Sequence, residues 1–242
     1  MKRRRQKQFF FGILFLAVGA LVVRGAVNLV GNVPEVTEQK NIPIPSQEEL
    51  LVQYPILVLG EPSLDRGVIL GSIENRTEDR ESKAYFTVLI LDVHDQILEE
   101  KEGKVIIPPQ ESLYVFATDL ETPFSAMNRA SITIHGVDWV SEELLRSKNF
   151  GFSDEVETEI IGSDRIIVHG TVKNQSVAEA RRVEILAVLF DDKGNELFAG
   201  QTRVTNLESF GQRNFSINIP SDQSIANRVD LRKTRLFVTD FQ

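Results

Sequence analysis

One segment of this chain occurs twice, at a separation of 99 residues. Asp65 to Arg129 aligns with Asp164 to Arg228 without a gap, and the same residue types recur at matched positions. The matched pairs that we single out are Asp65/Asp164, Arg66/Arg165, Gly71/Gly170, Asn75/Asn174, Asp92/Asp191, Phe116/Phe215, Asn128/Asn227 and Arg129/Arg228. Because 99 residues suffice for one ordinary domain, the repeat predicts two domains of the same fold.

Apolar residues alternate with polar ones inside each copy, as in residues 68–73 and 86–91 of the first and 166–172 and 185–190 of the second. This period of two predicts strands with one face, or nearly both faces, buried. Asp92 and Asp191 end strands at turns, where we expect their carboxylates to accept bonds from backbone N–H groups. Roughly seven short strands per hundred residues predict an all-β fold of two tandem β-sandwiches.

Short motifs in both copies resemble a known family. Gly170-Thr-Val-Lys-Asn174, followed by Leu189-Phe-Asp191, resembles the bacterial F-x-L-Y-D family of immunoglobulin-like sandwiches, with Ala187 in place of the leading Phe. The layout of basic tail, membrane span, stalk and sandwiches is also similar to membrane-anchored surface proteins of small-genome bacteria. The resemblance implies immunoglobulin-like domains with an adhesion, scaffold or assembly role outside the cytoplasm, and it supplies no catalytic residues.

The N-terminal residues are typical of an export signal. Five of the first seven residues are basic, and Phe9 to Val23 contains no polar side chain. Extended to Val30, the apolar stretch is long enough to cross a bilayer, and the positive flank predicts residues 1–8 in the cytoplasm. The alternative is a signal peptide cleaved near Ala17-Val-Gly19. Both interpretations place the rest of the chain outside the cytoplasm.

Composition and turn signals divide the remaining chain. We expect a transmembrane helix over 9–30, then a Pro-containing stalk over 31–53 with a short helix opened by a capping box at Ser46 to Glu49. The first sandwich is predicted over 54–140, a linker with helical character over 141–152, and the second sandwich over 153–242.

Charge and cysteine content exclude several classes of function. The chain has no cysteine, so it can form no disulfide and cannot carry a lipid on a cysteine. Six of its 27 basic residues lie at or before Arg24 and the first acidic residue is Glu35, which leaves 21 basic against 35 acidic residues beyond the membrane segment. Such an acidic surface disfavours nucleic acid and anionic lipid.

Catalytic and metal-binding patterns are missing from the sequence. His94, His135 and His169 lack the spacings of zinc sites, and no G-x-S-x-G motif occurs. A triad assembled in space stays open, since its members need not be close in sequence. Residues 191–196 contain oxygen ligands but lack the order of a calcium loop, which favours a hairpin turn. We therefore expect no catalytic, cofactor or metal site and no enzymatic activity.

Asparagines and charged pairs have both structural and functional interpretations. Asn75, Asn174 and Asn214 begin N-x-S/T patterns that a eukaryotic secretory pathway could glycosylate, whereas the first two also stand where turn asparagines belong. The repeated Asp-Arg pairs could mark a ligand contact. The structural alternative is a turn cap or a salt bridge, and we expect Asp65 to bond Arg129 and Asp164 to bond Arg228.

Aromatic residues concentrate near the predicted linker. Trp139 is the only tryptophan, and Phe150 and Phe152 flank Gly151. They are candidates for packing in the cores or between the domains, or for contact with a partner or a carbohydrate. Together these patterns predict a single-pass membrane protein whose extracytoplasmic domains bind other cell-envelope proteins. The alternatives are a cell-wall or glycan-binding module, which predicts clustered exposed aromatics, and, more distantly, a hydrolase.

Overall fold

The computed structural model describes residues 44–61, 65–141, 149–153, 155–162 and 164–242, and the chain is almost entirely β-structure there. The predicted membrane span and most of the predicted stalk and helical linker lie outside the described residues. The strands are β1 (Leu50–Glu61), β2 (Arg66–Asn75), β3 (Arg80–Leu91), β4 (Ile97–Ile107), β5 (Ser112–Ala117), β6 (Arg129–Ser141), β7 (Phe150–Phe152), β8 (Glu157–Ile161), β9 (Arg165–Asn174), β10 (Ala180–Phe190), β11 (Glu196–Leu207), β12 (Gln212–Pro220) and β13 (Arg235–Phe241).

Helical structure is confined to short segments of the described chain. Single 3-10 turns cover Gln47–Glu49 and Phe124–Ala126, and one α-helical turn, α1, covers Gln223–Ala226. Asp222 caps α1 by accepting a bond from the Ile225 N–H. No helix in the described part of the chain has the length and apolar character to cross a membrane.

The first half of the molecule, residues 44–141, consists of two three-stranded sheets. One has the strand order β1-β2-β5 and the other β4-β3-β6, and all neighbours within them are antiparallel. Inward side chains of both sheets form one core, which includes Ile69 and Ile73 of β2 and Phe86 and Val88 of β3. The alternation seen in the sequence therefore corresponds to a β-sandwich with a buried interior.

The second half, residues 149–242, repeats this plan. One sheet has the order β12-β9-β7, with β8 pairing beside β7 along the same edge of β9, and the other has the order β11-β10-β13. Its core includes Ile166 and Val168 of β9, Ile185 of β10 and Ile217 of β12. Among the described strands, the acidic strand β8 pairs only with β9, and its alternating carboxylates oppose the addition of a further strand.

Strands β2 and β10 are buried on both faces, which explains their nearly continuous apolar sequences. Ile69 faces the core of the first half, whereas Leu70 belongs to a third cluster that also contains Leu186 and Val188 of β10. Ile185 in turn faces the core of the second half. The sheets β1-β2-β5 and β11-β10-β13 thus pack face to face, and residues 44–242 form one compact unit.

The first strand begins earlier than the sequence pattern suggests. The predicted capping box gives only one 3-10 turn, and Ser46 makes no side-chain cap. β1 starts at Leu50, inside the predicted stalk, because Leu50 is buried in the first core and pairs with Asn75. Pro55 is accommodated because β1 is an edge strand with an irregular register between Gln53 and Leu57.

The repeat holds its 99-residue spacing only through its first two thirds. Gly71 pairs with Val115, whereas the matching Gly170 pairs with Phe215, so Phe215 corresponds to Val115 and not to Phe116. One residue is therefore inserted in β11 or the turn after it, a stretch that contains Asn206 with a φ of 52°. The predicted pairing of Phe116 with Phe215 is wrong, because a one-residue shift moves a side chain to the opposite face of its strand.

The ends of the two copies differ further. The N–H of Asn128 donates to the carbonyl of Leu91, and in the second half the N–H of Asp230 donates to the equivalent carbonyl of Phe190. Asn227 instead terminates α1. The matches Asn128/Asn227 and Arg129/Arg228 are therefore not structural equivalents, because extra residues in the second half separate its helical turn from its last strand.

Candidate interaction site at the junction of the two halves

The junction between the halves is packed like a protein core. Leu70 comes from β2, and Leu186, Val188 and Phe190 come from β10, and each of these side chains is at least 96% buried. Residues this deeply buried contribute about 1.5 to 3 kcal/mol each to the free energy of unfolding. The two halves are therefore joined by a shared apolar layer rather than by a surface contact.

Two aromatic rings cross the junction. Tyr114 of β5 meets Phe237 of β13 edge to face, with ring centroids 5.1 Å apart. The Tyr114 hydroxyl donates a 2.8 Å hydrogen bond to Oε1 of Glu196 in the second half. Burial raises the pKa of Tyr114, and the bond to Glu196 raises it further. The alternation of Tyr114 with the inward-facing Leu113 and Val115 was a usable signal for this second buried face.

A group of charged side chains closes one end of the junction. Nζ of Lys104 in the first half lies 2.9 Å from Oδ2 of Asp240 in the second, and Nη2 of Arg182 lies 2.7 Å from the same oxygen. Only 4% of the Asp240 side chain is exposed. Among the described residues, Oδ1 of Asp240 and Nε of Arg182 have no hydrogen-bond partner. Removal of either basic partner would leave the buried Asp240 carboxylate with less compensation of its charge.

A cleft of about 710 Å³ opens where the two halves meet. One wall is formed by the start of β2 and by the segment from Phe116 to Leu120, and the other by residues 198–203 of β11 with Asn218 and Pro220. A smaller pocket of about 250 Å³ adjoins it and shares Phe116, Glu184, Gln201 and Arg203 with it. Both halves therefore contribute to one continuous groove.

The aromatic residues predicted for the junction lie elsewhere. Trp139 packs against the core of the first half. Phe150 contacts Phe241 with ring centroids 4.9 Å apart, and Phe152 contacts Phe215 at 6.0 Å, both within the second half. Their proximity to the linker in sequence does not bring them to the junction, because β6 and β7 pair within their own halves.

The paired asparagines form the same turn network in both halves. Nδ2 of Asn75 donates to the carbonyls of Arg80 and Ile107, and its Oδ1 accepts from both the N–H and the hydroxyl of Thr77. Asn174 is bonded in the same way, with Ser176 in the place of Thr77. Both asparagines are at least 98% buried. The N-x-S/T pattern at these two positions is explained by turn chemistry.

The hairpin aspartates behave as predicted. Oδ1 of Asp92 accepts from the N–H groups of His94 and Gln96, and Oδ1 of Asp191 accepts from those of Lys193 and Asn195. The backbone bond from Gln96 lowers the pKa of Asp92, and the side-chain bond from Asn195 lowers that of Asp191. Gly194 has a positive φ, at 88°, which fits the hairpin turn predicted over residues 191–196. These residues form hairpin turns.

Two of the repeated glycines are needed for close packing. A Cβ atom at Gly71 would lie 2.4 Å from Cδ1 of Ile132, and one at Gly170 would lie 2.7 Å from the Phe215 ring. No larger side chain fits at either position without displacing the core. At Gly71 the space is occupied by Ile132 of the facing sheet, and at Gly170 it is occupied by Phe215 of the paired strand β12.

The predicted salt bridges are replaced by other contacts. Asp65 accepts from the N–H and the hydroxyl of Ser125. Arg129 pairs with Asp95 at 2.8 Å. In the second half, Asp164 lies 3.8 Å from its neighbour Arg165, and Arg228 is in the segment where the repeat has lost its register. The proposed pairing is wrong because Asp65 and Arg129 each have a nearer partner in a neighbouring turn.

Arg66 is exposed and lines the junction cleft.

One histidine lies in a triad-like row on the outer face of the second half. Nδ1 of His169 is 2.8 Å from Oγ of Ser216, and its Nε2 is 3.0 Å from Oε1 of Glu159. These side chains come from the adjacent strands β8, β9 and β12; Glu159 and Ser216 are solvent-exposed, and His169 is partly exposed. Catalysis by a serine requires preorganised oxyanion donors and exclusion of water, which an exposed sheet face does not provide. The row is a set of cross-strand contacts.

Metal-binding clusters and exposed aromatic clusters are absent from the described part of the chain. There, no cluster of three or more His, Cys, Asp or Glu could hold a metal ion. The largely exposed aromatic rings in this part are Tyr54, on β1, and Phe210, in the turn before β12. They belong to different halves, so these two rings do not form the aromatic cluster that the glycan-binding alternative predicts.

Comparisons with known proteins give little further information. No family model and no curated protein matches this chain. A red sea bream transglutaminase structure matches with 9% identity over 71% of this chain and a TM-score of 0.22, and the match spans only 27% of that enzyme. The tandem CBM22 domains of Paenibacillus barcinonensis Xyn10C match with 9% identity, 81% and 87% coverage of the two chains and a TM-score of 0.16. Likenesses this weak support no assignment.

Proposed function

We propose that this chain is a single-pass membrane protein whose two immunoglobulin-like sandwiches bind or scaffold other proteins of the cell envelope outside the cytoplasm. The basic N-terminus and the apolar stretch over 9–30 support the anchor and its orientation. The acidic remainder of the chain is compatible with protein partners and disfavours nucleic acid.

The strand pairing supports the immunoglobulin-like assignment. The sheet β1-β2-β5 would contain strands A, B and E of an immunoglobulin domain. In the second half β9 and β12 would be strands B and E, with β7 and β8 together in the place of A. The opposite sheet pairs β3 with β6, as strands C and F pair in that fold, and adds β4 at the position of C′. The second half has the matching sheet β11-β10-β13.

The junction is the observation that carries the proposal of a binding or scaffold role. Its buried apolar layer and the Lys104–Asp240 ion pair hold the two sandwiches in one orientation. Tandem domains that pack this closely present their loops and edges as one rigid surface, whereas domains on a flexible linker move independently. A fixed surface reduces the entropy lost on binding.

Cysteine labelling tests the predicted topology, and the absence of native cysteine provides a clean background. Val177 is 83% exposed, so Val177→Cys should react with a membrane-impermeant maleimide on intact cells. Gln6→Cys, in the basic tail, should react only after lysis. Val183 is fully buried, and Val183→Cys is the matched control that reacts only after unfolding.

Three outcomes of the labelling bear on the proposal. Protection of Val177→Cys on intact cells, or labelling of Gln6→Cys on them, would refute the proposed orientation. Loss of the Gln6→Cys label from the folded protein would identify a cleaved signal peptide instead of an anchor.

Crosslinking in native membranes then tests the binding role. We expect the protein to capture a defined set of envelope proteins. The Leu186→Ala variant, which has a damaged junction, should capture them less efficiently.

A further inference from the structure

The free edge of β11 lies in the junction cleft. β11 pairs with β10 on one side, and within the described residues no strand pairs with its other side. Ala199, Gln201 and Arg203 all line the cleft. An edge strand leaves the N–H and C=O groups of every second residue unpaired, and these groups are a template for another strand.

One hydrogen bond identifies the residues whose backbone faces this edge. The carbonyl of Thr205 accepts a 2.8 Å bond from Nη1 of Arg213 and therefore points away from β10. In an antiparallel ladder both backbone groups of a residue point to the same side, and the side alternates along the strand. The β10–β11 register is unshifted from Thr205 to Phe198. Arg203 and Gln201 therefore present their N–H and C=O groups to the cleft, and so does the buried Ala199.

Three other edges in the described part of the chain, those of β1, β8 and β4, carry features that discourage pairing. β1 contains Pro55 beside a register shift, and β8 carries Glu157 and Glu159. The equivalent edge in the first half is β4, where the positions that match Ala199 and Gln201 are Glu100 and Glu102. Charged residues and proline on an edge strand oppose the addition of another strand.

The edges of β4 and β11 also differ in what covers them. Lys104 on β4 is bound by Asp240 of the second half, so this edge adjoins β13. Arg203, its equivalent on β11, is paired with Glu184 of the neighbouring strand at 2.8 Å. The charge of Arg203 is therefore neutralised within its own sheet, and the edge from Ala199 to Arg203 is left with no net charge.

We infer that the edge of β11 binds an extended peptide segment of a partner protein, which adds to the sheet β11-β10-β13 as a fourth strand. This inference rests on the proposed function, for which it specifies the binding site and the class of partner. Residues 199–203 span about 14 Å at 3.4 Å per residue, enough for a short segment. Alternate side chains of the segment would face Val68 and Phe116 on one side and Asn218 and Pro220 on the other.

The residues on these walls limit the chemistry of the segment. Arg66 and Arg203 balance Asp119 and Glu184, so the described wall has no net charge. Val68 and Phe116 give the wall an apolar centre. The structure therefore favours an uncharged segment with small or apolar residues at alternate positions, held mainly by main-chain hydrogen bonds.

The test uses the full chain in detergent micelles and a displayed library of random twelve-residue peptides as the probe. A peptide enriched from the library should protect the amides of Gln201 and Arg203 from hydrogen exchange. The amides of Gly200 and Thr202 point toward β10, so they should be protected before the peptide is added and should change little.

Matched proline variants locate the binding edge. Gln201→Pro removes an N–H that faces the cleft, and we expect peptide binding to weaken about tenfold or more. Glu100→Pro removes an N–H from the equivalent edge of β4 at an exposed position outside the groove, and it should leave binding unchanged. Gln201→Glu introduces the charge found at Glu102 and should weaken binding even if the proline variant fails to fold.

Three results would overturn the inference. They are failure to enrich any peptide, binding that Gln201→Glu does not weaken, and protection of Gln201 and Arg203 that rises with protein concentration in the absence of peptide. The last would show that a second copy of the chain occupies the edge. None of these results affects the cysteine-labelling test, so failure of the inference and failure of the proposed function are distinguishable.

Discussion

The two halves of this molecule keep the same turns and differ at their edges. Asn75 and Asn174 make the same buried network, and Asp92 and Asp191 close equivalent hairpins. In contrast, β4 and β11 carry different residues at the positions whose backbone groups face the strand edge. β4 carries charges at these positions, whereas β11 carries small or neutral residues at most of them. The fold constrains each copy in the same way, whereas the proposed binding edge would be needed only once.

A second difference concerns how the strands β4 and β11 contribute to their halves. Glu99 and Phe198 occupy matched positions. Both oxygens of Glu99 accept bonds from the N–H groups of Glu121 and Thr122, and Glu99 therefore anchors the segment before β6. Phe198 is buried in the core of the second half. The first half thus depends on an ionised carboxylate where the second depends on apolar packing.

The largest effect is expected for truncation of the junction. Leu186 faces the junction and Leu189 faces the core of the second half, and both are fully buried. Because the junction is packed like a core, Leu186→Ala should lower the free energy of unfolding by about 3 kcal/mol, as Leu189→Ala should. Urea denaturation of the full chain measures both. A cost below about 1 kcal/mol for Leu186→Ala alone would show a loose contact between the halves.

The asparagine networks should be equally important in the two halves. Asn75→Ala and Asn174→Ala each leave buried carbonyl groups without a donor, so each should cost about 3 kcal/mol. Asn214→Ala is the exposed control, and its effect should be within about 0.5 kcal/mol. Urea midpoints of the three variants provide the comparison. Costs that differ by more than about 1 kcal/mol between Asn75 and Asn174 would contradict an equivalent role.

Acid sensitivity should come mainly from the first half. Desolvation by burial raises the pKa of Glu99, but hydrogen bonds from the backbone N–H groups of Thr122 and Glu121 lower it more strongly. The Thr122 hydroxyl and Lys101 make smaller contributions in the same direction, and the net effect lowers the pKa from 4.5 to about 2. A carboxylate whose pKa is lower in the folded than in the unfolded chain stabilises the folded state at pH values above the unfolded pKa. This stabilisation is lost as the pH falls from about 5 to 2.

Glu99→Gln should therefore lower the free energy of unfolding by about 2 kcal/mol at pH 7 and by almost nothing at pH 2. Denaturation curves collected between pH 7 and pH 2 measure this convergence. An equal loss of stability at both ends of the range would mean that the amide fails for steric reasons and that the charge of Glu99 is unimportant.

The smallest effects on the free energy of unfolding are expected for substitutions in the hairpin turns. Gly194 and Asp95 occupy matched positions with φ values of 88° and 62°. A Cβ at Gly194 would meet no atom within 4 Å, so Gly194→Ala should cost about 1 kcal/mol for conformational reasons alone. Asp95→Gly should be within about 0.5 kcal/mol of neutral, because relief of the left-handed conformation offsets loss of the exposed Arg129 pair. Thermal melts resolve the two changes, and a neutral Gly194→Ala would exclude a conformational role for this glycine.

The hydrogen bonds within turns were predictable from the sequence, whereas the pairing register of distant strands was not. Asp92, Asp191 and Gly194 act through residues only a few positions away, so their turn signals suffice. Phe116 was matched to Phe215, yet the insertion near Asn206 shifts the register by one residue, and a gap-free alignment cannot detect such a shift.

The junction illustrates the same limit. The nearly continuous apolar sequences of β2 and β10 indicated that both faces of these strands are buried, and this is confirmed. What covers the second face depends on contacts between residues more than 100 positions apart, such as Leu70 and Leu186. Proximity in sequence pointed to Trp139, Phe150 and Phe152 instead, although each packs within its own half.

Trp139 allows the most direct test of whether the two halves form one cooperative unit. It is the only tryptophan and it packs in the first half, whereas Asn174 lies in the second. We expect Asn174→Ala to lower the urea midpoint of Trp139 fluorescence by the same amount as that of far-UV circular dichroism, in a single transition. An unchanged Trp139 midpoint, with a dichroism curve split into two steps, would show that the halves unfold independently and would contradict the account.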